Sequence, residues 1–225
     1  MTAGKKPVIF CDFDGTITLS DNIVAIMKEF KPEGYEPIMK RTVDQEISLR
    51  QGVGDMFALL PSSRKDEIVD FVIKRAGIRE GFKEFLAYVR QENIEYYVTS
   101  GGMDFFIDPL LAPFDIPADH IFCNSADFSG EHIEILWPHP CKDPCSNGCG
   151  MCKTTVMRRF PEEQYERILI GDSLTDFEGA KIADLVYSRS ILTDKCAELG
   201  VKHVPFQNFF DIMNDMKQKR QQGVL

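Results

Sequence analysis

Residues 7–16 read Pro7-Val8-Ile9-Phe10-Cys11-Asp12-Phe13-Asp14-Gly15-Thr16. The apolar run from 8 to 11 predicts a buried strand of a parallel sheet, whose strands are hydrophobic on both faces. It runs directly into two acids and a glycine. Ionised carboxylates at the end of a core strand are costly unless paired or metal-bound. On an extended chain Asp12 and Asp14 would point the same way, and Gly15 lets the chain leave the strand sharply. Ligand sites of parallel α/β sheets lie at the carboxyl ends of strands, where these acids fall. A plainer reading makes Asp14 or Thr16 the cap of the helix that follows.

The 225 residues are enough for one large domain or two small ones with an ample core. A net charge of −9 argues against a nucleic-acid or anionic-membrane surface. No apolar run is long enough to span a bilayer, and the first residues lack the apolar stretch of a secretion signal, so the expected location is the cytoplasm. Seven cysteines are an odd number, which favours reduced thiols or a metal site over a disulfide framework.

After the first strand the α/β pattern is interrupted. Residues 22–30, 48–59 and 67–76 carry apolar side chains at helical spacing, punctuated by Pro32, Pro37 and Pro61. They predict a helical cap over residues 17–80, inserted at the catalytic edge of the sheet and placed to act as a lid. Residues 1–16 and 81–225 then form the core domain. In it, residues 81–92 read as a helix and 94–99 as a strand ending in Ser100-Gly101-Gly102, a hydroxyl and two glycines suited to phosphate oxygens or to an ordinary turn. A helix follows over 103–111, then strands at 120–126 and 132–136.

Cys141, Cys145, Cys149 and Cys152 lie next, with three, three and two residues between them. Four cysteines so close fit a structural zinc, but the spacing departs from that of paired zinc knuckles, so free thiols or a local disulfide stay open. Lys153 opens a helix over 154–160. Residues 167–170 form a strand ending in Gly171-Asp172-Ser173-Leu174-Thr175-Asp176, and a helix is expected over 177–183. A strand at 185–187, a helix at 193–199, a short strand at 203–204 and a helix at 208–219 close the layer. Residues 221–225 are expected to fray.

Three strand ends thus carry Asp12/Asp14, Ser100 and Asp172/Asp176, with Lys153 between the last two. Four carboxylates and a phosphate dianion cannot share a site unaided. Each like pair repels by several kcal/mol at a few ångströms, even at an effective dielectric of about 20. One Mg²⁺, Lys153 and a proton on one acid would balance most of this, and Mg²⁺ commonly bridges carboxylates to phosphate. The residues point to metal-dependent phosphoryl chemistry on a small phosphorylated molecule, with no nucleic-acid or membrane partner; the oligomeric state is left open.

Asp12-Phe13-Asp14-Gly15-Thr16, Thr99-Ser100, Lys153 and Gly171-Asp172-Ser173-Leu174-Thr175-Asp176 resemble, in order, the four motifs of the haloacid dehalogenase-like phosphatases. The likeness spans essentially the whole chain. It implies a Rossmann-like parallel sheet flanked by helices, and the inserted helices resemble those of the phosphoserine phosphatase-like branch. Within that branch Ser100-Gly101-Gly102-Met103-Asp104-Phe105-Phe106, Trp137-Pro138-His139 and the cysteine cluster resemble the phosphatases of methionine salvage. The resemblance implies that Asp12 is the nucleophile and forms an aspartyl-phosphate. Asp14 would protonate the leaving oxygen and then activate water. Mg²⁺ would be held by the Asp12 carboxylate, the Asp14 backbone carbonyl and Asp172, with Asp176 orienting these ligands from behind. Ser100, the Gly101 backbone and Lys153 would hold the phosphoryl oxygens. Thr16 is left as a brace for the loop or a helix cap.

Phosphoserine phosphatases place a glutamate near position 21 to meet the substrate amine. This chain has the shorter Asp21, a weaker substrate contact for an amino acid. Met27, Met39, Met56, Phe57, Met103, Phe105 and Phe106 would suit a methylthio tail, although their helical spacing reads first as core. Arg41 and Arg50 read as solvated surface. The leading expectation is a Mg²⁺-dependent phosphatase of methionine salvage. The alternatives are a phosphatase of phosphoserine or another small phosphomonoester, a phosphomutase, and an inactive scaffold that binds metal or a partner through its cysteines.

Overall fold

β1 (Lys6–Cys11) is the middle strand of a seven-stranded sheet with order β4-β3-β2-β1-β5-β6-β7. The others are β2 (Glu95–Met103), β3 (Ile121–Asp127), β4 (Glu134–Leu136), β5 (Tyr165–Gly171), β6 (Leu185–Ser188) and β7 (Val204–Pro205). Neighbours run parallel except β3 and β4, which form a hairpin. The computed structural model describes residues 5–222. β1 is hydrophobic on both faces because each meets a separate core. Ile9 and Cys11 join the larger cluster, and Val8 and Phe10 join the smaller one on the other face. Helices on both sides of a mostly parallel sheet give the expected α/β fold.

Four helices lie between β1 and Gly81: α1 (Asn22–Phe30), α2 (Tyr35–Val43), α3 (Leu49–Phe57) and α4 (Lys65–Arg75). The sequence pattern predicts no helix at α2, because Pro37 reads as a break. Pro37 is the third residue of the helix, in the first turn where backbone N–H groups have no intrahelical acceptor. α2 also buries no residue, so no apolar stripe announces it. The two strands of chain entering and leaving the insertion pair antiparallel: Leu19 N–H donates to Gly77 (2.9 Å) and Arg79 N–H to Ile17 (2.8 Å). The insertion is also anchored far from these linkers. Ser62 N–H donates to Glu131 (2.9 Å) and Ile133 N–H to Leu60 (3.0 Å), and Ile26, Met56, Phe57 and Leu60 share the core that holds Phe106 and Ile133.

α5 (Phe82–Gln91) and α6 (Asp104–Leu111) flank β2, and α7 (Lys153–Met157) and α8 (Leu174–Ala180) flank β5. α9 (Ser190–Glu198) and α10 (Phe209–Gln221) complete the layers. α7 stops three residues before its expected end, and α8 starts three residues before its expected start. β2 runs on through Ser100-Gly101-Gly102 to Met103, with its pairing to β3 shifted in register across that stretch. The expected fraying of 221–225 falls largely outside the described residues; Gln221 is helical. Among the described residues, no helix is long and apolar enough to cross a membrane.

Candidate active site

The carboxyl ends of β1, β2 and β5 are adjacent, and they bring the sequence-predicted residues to one edge. After Cys11 the chain closes a tight loop over Phe13–Ile17, with Thr18 N–H donating to the Phe13 carbonyl (2.9 Å). Gly15 turns at φ +78, and a Cβ there would run into the Asp172 carboxylate. Only glycine satisfies both the backbone angle and this close approach. On this loop Asp12 and Asp14 engage different partners.

Asp12 is buried, with Oδ1 accepting from Phe13 N–H (2.8 Å) and from Lys153 Nζ (2.8 Å). Burial, then the charge of Asp176, pushes its carboxyl up, against the pull of Lys153. Asp14 Oδ1 accepts from both Asn22 N–H (3.0 Å) and Asn22 Nδ2 (2.7 Å), while Oδ2 lies 3.4 Å from Ser100 Oγ. Burial, then the Asp21 charge, lifts Asp14 from 3.8 to about 7. Asp14 thus meets the first N–H of α1, but neither it nor Thr16 holds the N-cap position of that helix. That role belongs to Asp21, which is exposed and accepts from Val24 N–H (2.9 Å). Thr16 Oγ1 instead braces Asp172 Oδ1 (3.2 Å).

Ser100 is fully buried, and its Oγ accepts from Gly102 N–H (2.9 Å). A Cβ on Gly102 would come within 2.7 Å of Asp14 Oδ2, so the backbone there is bare because the acid lies over it. Gly101 is partly exposed and its carbonyl accepts from Asn124 Nδ2 (2.8 Å). Lys153 is buried at the start of α7 and pairs with both Asp12 and Asp176. Burial disfavours its charge, but those two acids outweigh the cost and raise its pKa. Asp176 is fully buried and spends both oxygens on the protein: Oδ1 on Lys153, Oδ2 on the N–H groups of Asp172 (3.2 Å) and Ser173 (3.1 Å).

The carboxylates of Asp12, Asp172 and Asp176 offer oxygens within 4.8 Å of one another. Asp172 is lifted to about 6, by burial first and then by Asp176. Hard oxygen donors crowded against a single lysine fit a Mg²⁺ ion, which would relieve their mutual repulsion. With Asp176 saturated, Asp12 and Asp172 are the carboxylates free to hold it. The Asp14 side chain lies outside this trio.

The sign of the raised acids gives a measurable consequence. Asp14 and Asp172 sit above their ordinary 3.8, so the metal-free folded protein holds protons that the unfolded chain has released. The stability this lends is present at the acid end and is lost as pH rises through about 6 to about 7. Thermal unfolding in EDTA should therefore occur at lower temperature at about pH 8 than at about pH 5. Mg²⁺ should flatten the difference. Greater metal-free stability at the alkaline end would contradict this charge balance.

Sequence reasoning missed the residues that hold the loop. Arg79 is buried and donates to the carbonyls of Thr16 (2.7 Å), Gly15 (2.8 Å) and Thr18 (3.1 Å). Burial, then repulsion from Arg189, lowers it to about 10. Arg189 adds a bond to the Gly15 carbonyl (2.6 Å). Asn22 and Asn124 were missed as well. Arg79→Met should strand the carbonyls and destabilise the fold by roughly 3 kcal/mol or more, with a matching loss of turnover. Arg79→Lys should rescue little, since one ammonium cannot fork across three carbonyls. Wild-type unfolding and kcat in the lysine variant would refute this positioning role.

Residues 9–181 match the haloacid dehalogenase-like hydrolase family. The chain belongs to this family. It is 52% identical over 220 residues to the 2-hydroxy-3-keto-5-methylthiopentenyl-1-phosphate phosphatase of Brevibacillus brevis, covering 98% of this chain and 99% of that one. A protein of the same name from Geobacillus thermodenitrificans is 48% identical over 213 residues, covering 95% and 96%. Among solved structures the fold resembles phosphoserine phosphatase from T. onnurineus (TM-score 0.70, 14% identity, 95% of each chain). It also resembles a substrate-bound phosphoserine phosphatase complex (TM-score 0.67, 19% identity, 94% and 99%). This haloacid dehalogenase-like hydrolase is a phosphomonoester hydrolase.

The remaining expectations divide by burial. Met27, Met56, Phe57, Met103 and Phe106 are core, and only Met39 and Phe105 stay partly exposed. Arg41 and Arg50 are exposed as expected, with the Arg50 guanidinium 5.6 Å from the Trp137 ring centre.

Proposed function

We propose that this protein hydrolyses 2-hydroxy-3-keto-5-methylthiopentenyl-1-phosphate in methionine salvage, through an aspartyl-phosphate on Asp12. The near full-length identity to the Brevibacillus brevis phosphatase carries the choice of substrate. The geometry of the strand ends supports the chemistry. Asp12 lies at the end of β1 with Oδ1 accepting from Phe13 N–H and Lys153, and its carboxylate attacks phosphorus in line with the departing enol oxygen. As that P–O bond breaks, the oxygen takes the proton of Asp14. Since Oδ1 of Asp14 is filled by two N–H donors, the proton resides on Oδ2. A value of about 7 lets Asp14 give this proton at neutral pH and take one back from water in the second step, when water oxygen attacks phosphorus and Asp12 is released.

Lys153, Ser100 and the Gly101 backbone hold the phosphoryl oxygens and offset the developing charge. Asp12, the Asp14 carbonyl and Asp172 would hold Mg²⁺, whose positive charge would keep Asp12 ionised and screen the phosphoryl oxygens. Residues 17–80 serve as a cap over the core formed by 1–16 and 81–225.

Turnover with Mg²⁺ on the enol phosphate and on phosphoserine, side by side, tests the substrate. We expect kcat/KM for the enol phosphate to exceed that for phosphoserine by on the order of a hundredfold or more, because Asp21 is shorter than a glutamate and spends one carboxylate oxygen capping α1. Equal or reversed preference would overturn the substrate and leave the chemistry standing.

A further inference from the structure

Between β4 and α7, residues 137–152 carry no helix or strand, yet they bring four sulfurs together. The Sγ atoms of Cys141, Cys145, Cys149 and Cys152 all lie within 4.8 Å of one another, and those of Cys141 and Cys145 are 3.6 Å apart. A tetrahedral ZnS₄ centre with Zn–S of about 2.3 Å has S···S edges of roughly 3.8 Å. Packing does not explain the cluster. None of the four belongs to either apolar core, and only Cys152 is buried. Donors already face the sulfurs: Cys149 N–H donates to Cys141 Sγ (3.4 Å), and Thr154 Oγ1 lies 3.2 Å from Cys152 Sγ. Such bonds orient and stabilise metal-bound thiolates.

We propose that Cys141, Cys145, Cys149 and Cys152 bind a structural Zn²⁺ that fixes Lys153 against the helical insertion. Soft thiolates select zinc over the magnesium proposed for the oxygen site, and four protein ligands leave no open position for chemistry. The loop reaches both ways. Cys152 immediately precedes Lys153 and is tied back by its N–H to His139 (2.8 Å). At the other end Arg50 N–H, in the first turn of α3, donates to Gly148 (3.0 Å). Gly148 turns at φ +63, where a Cβ would meet Ser48, the cap of that helix, at 2.8 Å. The ion would close the loop that spans these two contacts.

The test uses the full chain, expressed with added zinc and purified without chelator. Elemental analysis should give one zinc per chain, and cobalt substitution should give thiolate-to-metal charge-transfer bands. Cys145→Ser and Cys149→Ser should lose the ion on dialysis, and Cys196→Ser, outside the cluster, should keep it. Metal-free protein with four freely reacting thiols, a disulfide within the cluster, or cobalt bands without a sulfur contribution would overturn the site. The wild-type zinc count needs no variant to fold. The role assigned to Lys153 rests on the phosphatase reading and is read separately. With Mg²⁺ saturating, zinc loss should weaken inhibition by inorganic phosphate more than tenfold; zinc present with unchanged inhibition after its removal would overturn that role alone.

Discussion

Asp12→Asn should reduce kcat by on the order of ten-thousandfold or more, while the protein stays folded. The amide oxygen can still accept from Phe13 N–H, now made at 2.8 Å, so the loop keeps its first contact. Lys153 keeps Asp176 as a partner, so no buried cation is orphaned. The substitution also removes a carboxylate whose ionisation is opposed by burial and by Asp176 and Asp172. Metal-free stability should therefore hold or rise, as read by thermal unfolding in EDTA. What disappears is the nucleophile: an amide cannot form the acyl phosphate at a useful rate. Steady-state kinetics checks the loss, and activity within tenfold of wild type would remove Asp12 from its assigned role.

Asp14→Asn should lower kcat by about a hundredfold to ten-thousandfold and change which species accumulates. Asparagine can keep an oxygen toward Asn22, whose two N–H groups now meet Asp14 Oδ1, so position is preserved. It can neither give a proton nor accept one from water. The departing enolate is a better leaving group than an alkoxide, so phosphoryl transfer to Asp12 should suffer less than hydrolysis of the acyl phosphate. A burst of released enol product followed by slow turnover is expected in stopped-flow. The wild-type fall in kcat/KM above about pH 7, set by the lifted Asp14, should vanish in the variant. A variant that turns over without a burst and keeps the wild-type pH profile would assign the proton transfer elsewhere.

Elements with a strong local pattern were legible in the chain. β1 was visible because a run of apolar residues ends in acids, and α1, α3 and α4 because each buries one apolar stripe. The convergence of Asp12, Lys153, Asp172 and Asp176 was legible because each follows or adjoins the end of a core strand or the start of a helix. α2 was not, since it buries nothing and carries a proline in its first turn. The continuation of β2 through two glycines was also hidden, because glycine marks a strand end as readily as the irregular pairing found there. Arg79 and Arg189 left no trace. Their work is a bond to the carbonyl of Gly15, across 64 and 174 positions of sequence, and nothing local announces such a contact. The contact of the Asp14 carboxylate with Asn22 was hidden as well, because it depends on a tight loop rather than on strand geometry.

The proposed hydrolysis passes through a covalent phosphoryl group on Asp12, and acid quench during steady-state turnover tests this most directly. Wild type and Asp14→Asn are mixed with substrate and Mg²⁺, quenched and digested, and the peptides are weighed. A phosphoryl adduct should map to the peptide bearing Asp12, reach near one per chain in Asp14→Asn, and be absent from Asp12→Asn. Full turnover with no adduct in either active protein, or an adduct on another residue, would contradict the account.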